Sequence, residues 1–322
     1  MQIIDLFCGI GGFRLGFEGV GANCVFSSDI DKYASETYFN NFGENPLSDI
    51  TDIKTEAIPK YDVLCAGFPC QPFSIGGHRQ GFKDTRGTLF FEVERILKET
   101  KPKAFVLENV KGLVNHNKGN TLQVILNTLA VRINGKINTA KYRDTLGYHV
   151  YYKVLNSKDF GLPQNRERIF IVGFKDNVEF NFPEGTSDSR RLVEILEKDV
   201  LKNTTNDIVN TNIERYLQQH KKKAQMEDKK CLLAYEIRNS RCAFRFDGLA
   251  PTLTAKMGTG GNNVPVLVQQ RRKLTTRECL RIQGFPESYK IKDDYMQSYK
   301  QIGNSVSVPV IKAIAKEIAK FI

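Results

Sequence analysis

The sequence predicts an α/β fold built on one open parallel sheet, with a smaller irregular domain beside it. Three observations carry that expectation. The run Gln2-Ile3-Ile4-Asp5-Leu6-Phe7 is β-rich and apolar, and it breaks into Gly9, Gly11 and Gly12 before a helical pattern resumes. Two further short apolar runs, Asp62-Val63-Leu64-Cys65-Ala66 and Ala104-Phe105-Val106-Leu107, are bounded by polar and turn residues as buried strands are. Near Pro183 the alternation of strands and helices stops, and from there to about Gln270 the chain is irregular.

The first element is a strand, a glycine turn and a helix start. Glycines at such a turn let the backbone approach a ligand closely, and the free amides favour an anionic or polar cofactor group. The spacing is not Gly-x-Gly-x-x-Gly, so the turn alone does not name the cofactor. Residues 24–28 form the second strand and end at Asp29, where an acid can accept hydrogen bonds from ribose hydroxyls. Asp49 offers another acceptor near the same edge; a helix cap or turn is the other role open to either acid.

Cys70 follows the third strand in Gly67-Phe68-Pro69-Cys70-Gln71, and the fourth strand ends in Glu108-Asn109-Val110. Ligands bind outside the carboxyl ends of strands in open α/β sheets, so a thiol and an acid meet there without being sequence neighbours. Cys70 and Glu108 are thereby a candidate catalytic couple. The glycine-rich, cationic stretch 74–87 reads as a lid beside the thiol. A helix over 121–130, a surface excursion over 131–143 and a strand over 150–155 come next. Gln164-Asn165-Arg166-Glu167-Arg168 then opens the strand 169–174. Arginines two apart at the start of a strand share a face, to serve an anion or base edge or to form a surface ion pair.

Past the composition shift lie a charged helical tract over 218–230, the loop Gly258-Thr259-Gly260-Gly261-Asn262-Asn263, and a helix capped by Thr275 or Thr276 with Glu278. The chain closes with Gly303-Asn304-Ser305-Val306 and a helix opened by Pro309, whose Val310, Ile314, Ile318 and Phe321 fall at helical spacing and should dock on a core.

The 322 residues carry 47 Lys+Arg against 36 Asp+Glu, a formal net charge of +11, which points to a polyanionic partner, most often nucleic acid. No apolar run is long enough to span a bilayer and no signal core opens the chain, so the expectation is a soluble intracellular protein. The seven cysteines include no Cys-x-x-Cys and the four histidines complete no zinc pattern, which argues against a disulfide framework and a metal site.

In order, Asp5-Leu6-Phe7-Cys8-Gly9-Ile10-Gly11-Gly12, Pro69-Cys70-Gln71, Glu108-Asn109-Val110, Gln164-Asn165-Arg166-Glu167-Arg168 and Gly303-Asn304-Ser305-Val306 resemble the motifs of the DNA cytosine-5 methyltransferases, most closely the bacterial restriction-modification type. The resemblance covers residues 2–174 and again 272–322. It implies a Rossmann-like S-adenosylmethionine-dependent sheet over 1–184 plus 301–322, and a target-recognition domain with its hinge over 185–300. The methyl donor would contact Phe7, Gly9, Ile10, Gly11, Gly12, Asp29, Ile30, Asp49, Ile50, Gly67, Pro69, Asn304 and Ser305. Asp29 departs from the family's usual glutamate, and Cys8 from its usual Ala or Ser.

By the same resemblance Cys70 attacks C6 of a flipped cytosine as thiolate, Glu108 works at N3, Arg168 serves the base and Arg166 supports it. Gln71, Ser74, Arg79, Lys83 and Arg86 would touch DNA from the lid; Arg241, Thr252, Gly260 and Asn262, with Arg238 and Arg245, would touch it from the recognition domain, where Thr252-Leu253 matches the family's Thr-Leu signature. The implied partner is double-stranded DNA, with a cognate restriction endonuclease acting on the same sites, and the expected form is a cytoplasmic, nucleoid-associated monomer. A tRNA cytosine-5 methyltransferase shares the catalytic motifs; the large basic variable region favours duplex DNA. A silent nucleic-acid-binding module would have no need of Cys70 and Glu108, and a nicotinamide dehydrogenase would need a different glycine spacing.

Overall fold

The computed structural model describes residues 1–69, 89–139, 145–186, 190–198, 200, 203–220, 232–260, 262–293 and 295–322. Cys70, Gln71, Ser74, Arg79, Lys83 and Arg86, and with them the expected lid, lie outside the described residues.

Eight strands form the main sheet: β1 (Gln2–Leu6), β2 (Asn23–Ser28), β3 (Val63–Ala66), β4 (Ala104–Val110), β5 (Ala130–Ile133), β6 (Lys136–Ile137), β7 (Tyr148–Asn156) and β8 (Glu167–Phe174), in the order β2-β1-β3-β4-β8-β7-β5-β6. β1 to β4 are mutually parallel, as the two apolar runs required, with Val63 to Ala66 in register with Ala104 to Leu107. The sheet is mixed rather than wholly parallel: β8 runs antiparallel between β4 and β7. That reversal brings the start of β8 to the edge where β4 ends, with Val110 opposite Arg168. The 131–143 stretch is more than a surface excursion, since its described part supplies β5 and β6 to the sheet margin.

Helices cover both faces because the strands are apolar on both sides. On one face α3 (Leu89–Thr100) buries Phe90, Val93, Ile96 and Leu97, and α4 (Asn120–Leu129) buries Leu122, Ile125 and Leu126. On the other, α1 (Gly12–Glu18) packs Phe13 and Phe17 beside the last helix, Val308–Ile318. The expected apolar stripe of that helix is buried at Val310, Ile314 and Ile318, each contributing about 1.5–3 kcal/mol, while Phe321 meets Phe174 edge-on. Pro309 stands in its first turn, where a missing N–H is harmless.

The segment past Pro183 has more order than its composition announces. It holds α5 (Asp207–Leu217) and a four-stranded antiparallel sheet of β9 (Leu233–Tyr235), β10 (Ala243–Arg245), β11 (Val266–Leu267) and β12 (Arg272–Lys273), in the order β10-β9-β11-β12. The helix starts upstream of the expected charged tract, and residues 221–230 of that tract lie outside the described residues. Its signal was Asn206, which caps the Val209 N–H, followed by Val209 and Ile213 on one buried face. α6 (Thr276–Gln283) opens with a full capping box of Thr275 and Glu278, and α7 (Met296–Asn304) follows.

One core joins this lobe to the first: Ile10 and Ala34 pack with Leu233, Leu253, Leu280 and Ile302. No helix among the described residues is long and apolar enough to cross a membrane.

Candidate active site

The carboxyl ends of β1 to β4 and the start of β8 share one edge of the sheet, and most of the expected site residues lie along it. At the first strand end the backbone turns sharply. Phe7 has φ 55°, Gly9 φ 53° and Gly11 φ 78°, a left-handed path that only glycine takes without strain. A side chain on Gly11 would strike the Phe42 ring, and one on Gly12 would come within 2.7 Å of Ser305 Oγ and Val306 Cγ2. The turn is thus seated on the Gly303-Asn304-Ser305-Val306 segment.

Asp29, at the end of β2, locks the same turn. Its Oδ2 accepts the Gly9 N–H at 2.7 Å and its Oδ1 the Asp31 N–H at 2.8 Å. Burial raises its carboxyl above the usual range, and those two N–H groups oppose the rise. Each oxygen has a second lone pair for a ligand hydroxyl. Next to it Ile30 leaves 69% of its surface exposed, an apolar platform at the rim. Asp49 caps a short 3-10 turn, its Oδ1 accepting the Thr51 N–H and hydroxyl at 2.9 and 2.8 Å, and Ile50 is buried behind it.

These residues fit S-adenosylmethionine. A Cβ on Gly9 meets nothing within 4 Å, so the turn opens on free space that any side chain there would fill, with Asp29 and Ile30 beside it.

The thiol-bearing loop and the acid are tied together by the residue after the acid. Asn109 Nδ2 donates to the Phe68 carbonyl at 2.9 Å in a buried bond, and Asn109 Oδ1 accepts the Val110 N–H at 2.8 Å. Gly67 faces Glu108: a Cβ there would stand 3.7 Å from Glu108 Oε2. The chain from Gly67 to Pro69 therefore leaves β3 alongside the acid, and Cys70 is the next residue. Sequence reasoning quoted Asn109 without a role; its position beside Glu108 was the available signal.

Glu108 is 9% exposed, and Arg168 Nε stands 2.9 Å from its Oε1. That contact is an ion pair without hydrogen-bond alignment, so Oε1 is buried with no hydrogen bond among the described residues. Such an oxygen costs stability and marks a place for an incoming donor or proton.

Arg166 and Arg168 do not share a strand face. β8 begins at Glu167, and Arg166 turns into the interior at 2% exposure, where Nη1 donates to Leu253 O at 2.7 Å and Nη2 to Ser305 O at 2.7 Å and Gly303 O at 3.4 Å. Burial pulls its guanidinium down to about 9, the Arg168 charge pulls the same way, and Glu108 opposes both. Arg166 joins the two lobes, and only Arg168 touches the acid.

Residues to which the sequence reading gave no role complete the junction. Gln164 accepts the Leu253 N–H at 2.9 Å and donates to Gln283 Oε1 at 3.0 Å, while Gln283 donates to Ile302 O at 2.9 Å. Tyr289 donates its hydroxyl to the Ile10 carbonyl within the glycine turn at 2.6 Å. Their partners are distant in sequence, so no local pattern announces them. Thr252, expected to touch DNA, donates its hydroxyl to Asn165 O at 2.8 Å and lies at this junction. Arg241 pairs with Glu236 in the exposed β9–β10 turn; Gly260 has φ 77°, accepts from Asn263 and precedes Asn262 by two positions.

The family model of the C-5 cytosine-specific DNA methylases matches residues 1–320. The chain is 48% identical over 315 residues to the type II methyltransferase M.HaeII of Haemophilus aegyptius, covering 98% of this chain and 91% of that protein. It is 41% identical over 330 residues to M.HhaI of Haemophilus parahaemolyticus, covering 99% and 94%. In fold it is similar to the crystal structure of Schizosaccharomyces pombe Dnmt2, with a TM-score of 0.69 at 18% identity over 99% of this chain and 98% of that one. The strand-end glycine turn, the acid on β4 and the match along nearly the whole chain agree: this protein belongs to the C-5 cytosine-specific DNA methylases, enzymes that transfer the methyl group of S-adenosylmethionine to DNA cytosine.

Proposed function

We propose that this methylase modifies cytosine within one short duplex sequence through a covalent adduct of Cys70, and that it protects host DNA from a restriction endonuclease cutting the same sequence. The observation that carries the catalytic part is the buried Glu108 carboxyl, held by Arg168 and facing the loop that Asn109 fastens one residue before Pro69-Cys70. The protective role is supported by the relatives, which bear the name of type II methyltransferases.

C5 of an aromatic cytosine is a poor nucleophile and lies inside the stack, so the nucleotide is first rotated out. Cys70, as thiolate, forms a bond to C6, and the electron pair displaced from the C5–C6 double bond moves toward N3. Glu108, as the acid, gives N3 a proton or a strong hydrogen bond, with Arg168 holding the carboxyl in place. The ring is then an enamine with electron density at C5. When bound, S-adenosylmethionine would supply the electrophilic methyl group; C5 takes it as the sulfonium carbon–sulfur bond breaks, leaving S-adenosylhomocysteine as the product. Loss of the C5 proton re-forms the double bond and expels the Cys70 thiolate, and N3 gives its proton back to Glu108. Phe7, Gly9, Ile10, Gly11, Gly12, Asp29, Ile30, Asp49, Ile50, Gly67, Pro69, Asn304 and Ser305 form the donor's site, and residues 185–300 read the DNA from the second lobe.

Bisulfite sequencing of DNA from cells making the protein tests the reading. The expected result is 5-methylcytosine in one short motif, absent with Cys70→Ala and reduced at least a hundred-fold with Glu108→Gln. Methylation on the exocyclic N4, or confined to tRNA, would defeat it.

A further inference from the structure

We propose that Arg245, braced by Asp247, reads a guanine of the target sequence through the major groove and is a specificity-determining residue of this enzyme. The proposal rests on the reading of residues 185–300 as the DNA-recognising lobe.

Three arginines lie in or beside the β9–β10 hairpin, and their surroundings separate them. Arg238 donates to Ile237 O at 3.1 Å and to Asn263 Oδ1 at 2.5 Å, so its donors serve the loop itself. Arg241 forms an ion pair with Glu236 in which both side chains are more than half exposed, at 66% and 52%. Such a pair is weak in water and fixes no orientation.

Arg245 differs. It donates through Nε to Asp247 Oδ1 at 3.1 Å and through Nη2 to Asp247 Oδ2, and that carboxylate is pinned in turn by the Leu249 N–H at 3.3 Å. The side-on fork orients the guanidinium plane and occupies one edge. It leaves the end-on edge, Nη1 with the second N–H of Nη2, as two parallel donors with no partner on Nη1 among the described residues. Two parallel N–H groups match O6 and N7 of guanine in the major groove.

The strand gives this side chain its direction. Phe244 meets the His220 ring edge-on and Phe246 meets it at a tilt, at centroid distances of 5.7 Å each, so they claim one face of the β10 segment. Strand alternation puts Arg245 on the other. The exposed carboxylate has its reason here too. Asp247 is 51% exposed on a lobe expected to face a polyanion, where an unpaired acid would repel DNA; as the brace of Arg245 it is neutralised and orders the reader.

Position along the chain supports the same conclusion. Two residues past Gly248, Ala250 exchanges hydrogen bonds with the loop before β8, donating to Pro163 O at 2.7 Å and accepting from Asn165 N at 3.0 Å. That loop leads directly to Arg168 at the acid. Five residues reach at most about 17 Å, so Arg245 lies within roughly five base steps of the junction beside the catalytic pair.

The test is methylation of a random-sequence duplex library by the full-length protein, read by bisulfite sequencing. Arg245→Ala should turn one motif position from guanine to mixed, lowering discrimination there roughly ten- to a hundred-fold, with the other positions and the methylated carbon unchanged. Asp247→Asn should loosen the same position less. A wild-type motif without guanine overturns the proposal, and so does an Arg245→Ala enzyme that keeps the whole motif at a uniformly lower rate, the sign of a phosphate contact or a structural role. If Arg245→Ala methylates nothing, binding selection from the same library compares Cys70→Ser with Cys70→Ser carrying Arg245→Ala. A single relaxed position supports the assignment; an unchanged motif, or loss of every preference, overturns it. A wild-type protein making no 5-methylcytosine would refute the parent function, an outcome separate from these.

Discussion

Replacing Asp5 with Asn should change how stability depends on pH, by an amount the structure sets. Asp5 lies on β1 beneath the glycine turn at 0% exposure; its Oδ2 accepts the Arg14 N–H at 3.3 Å and its Oδ1 has no partner among the described residues. Burial pushes its carboxyl from 3.8 up to about 8; the Arg14 N–H opposes the rise and the Asp29 charge adds to it. Between those values the unfolded chain has released the proton and the folded protein has kept it. Stability from this group is therefore full below about pH 4 and is lost as the pH rises toward about 8. The slope is about 1.4 kcal/mol per pH unit, with a ceiling of roughly 6 kcal/mol over the whole window. Asn keeps an oxygen for the Arg14 N–H and has no proton to lose. Urea unfolding of both proteins from about pH 5 to about pH 8 should show the variant gaining roughly 3–4 kcal/mol on the wild type across that range. A difference that stays constant with pH would refute the assignment of a buried, neutral Asp5.

Two substitutions test how the second lobe is held together and how it is seated. Glu278 and Arg272 form a buried pair with bonds of 2.8 and 2.9 Å, and Glu278 also accepts the Thr275 and Glu197 N–H groups at 2.9 and 3.0 Å. Glu278→Ala leaves the Arg272 charge buried alone and should lower unfolding stability by roughly 3–5 kcal/mol; a loss under about 1 kcal/mol would show that the pair is not held as described. At Gly303 a Cβ would overlap the Thr254 carbonyl. Gly303→Ala should cost about 1–3 kcal/mol and slow methylation by displacing the second lobe, and a wild-type melting temperature would contradict that close approach.

The parts of this molecule that were legible beforehand are those whose cause lies within a few residues. Thr275 and Glu278 cap the helix they start, and Val63 to Ala66 and Ala104 to Leu107 are strands because each residue is buried. Gly11 must be glycine because φ is 78° and Phe42 closes the space beside it. What was misread depends on distant partners. Arg166 was expected to share a strand face with Arg168, yet its acceptors are the carbonyls of Leu253, Gly303 and Ser305, and a backbone acceptor leaves no trace in sequence. The helix Asp207–Leu217 went unread for another reason, since its signal was local: the Asn206 cap with Val209 and Ile213 behind it, upstream of a charged tract whose residues 221–230 lie outside the described ones. Strands β9 to β12 are two or three residues long, too short for a period of two to register.

Contacts between residues distant in sequence explain how the second lobe, with its short strands, is held against the edge that bears Glu108. Tyr289 reaches the Ile10 carbonyl in the glycine turn, Asn41 and Lys290 exchange two hydrogen bonds of 2.8 and 2.7 Å, Thr37 donates to Gln301 at 2.9 Å, and Arg166 bridges Leu253 to Ser305. Swinging the second lobe away from Arg166 would strip buried carbonyls of their donors, at about 1–3 kcal/mol for each one left unpaired. The buried bonds of Tyr289 and Arg166 therefore hold the lobes in their relation, with the Asn41, Lys290 and Thr37 bonds adding to them nearer the surface. A residue that must select one base in such a setting gains most from being oriented in advance, and the brace of Asp247 on Arg245, itself tied to the Leu249 N–H a few residues before the junction, orients it from the fixed side.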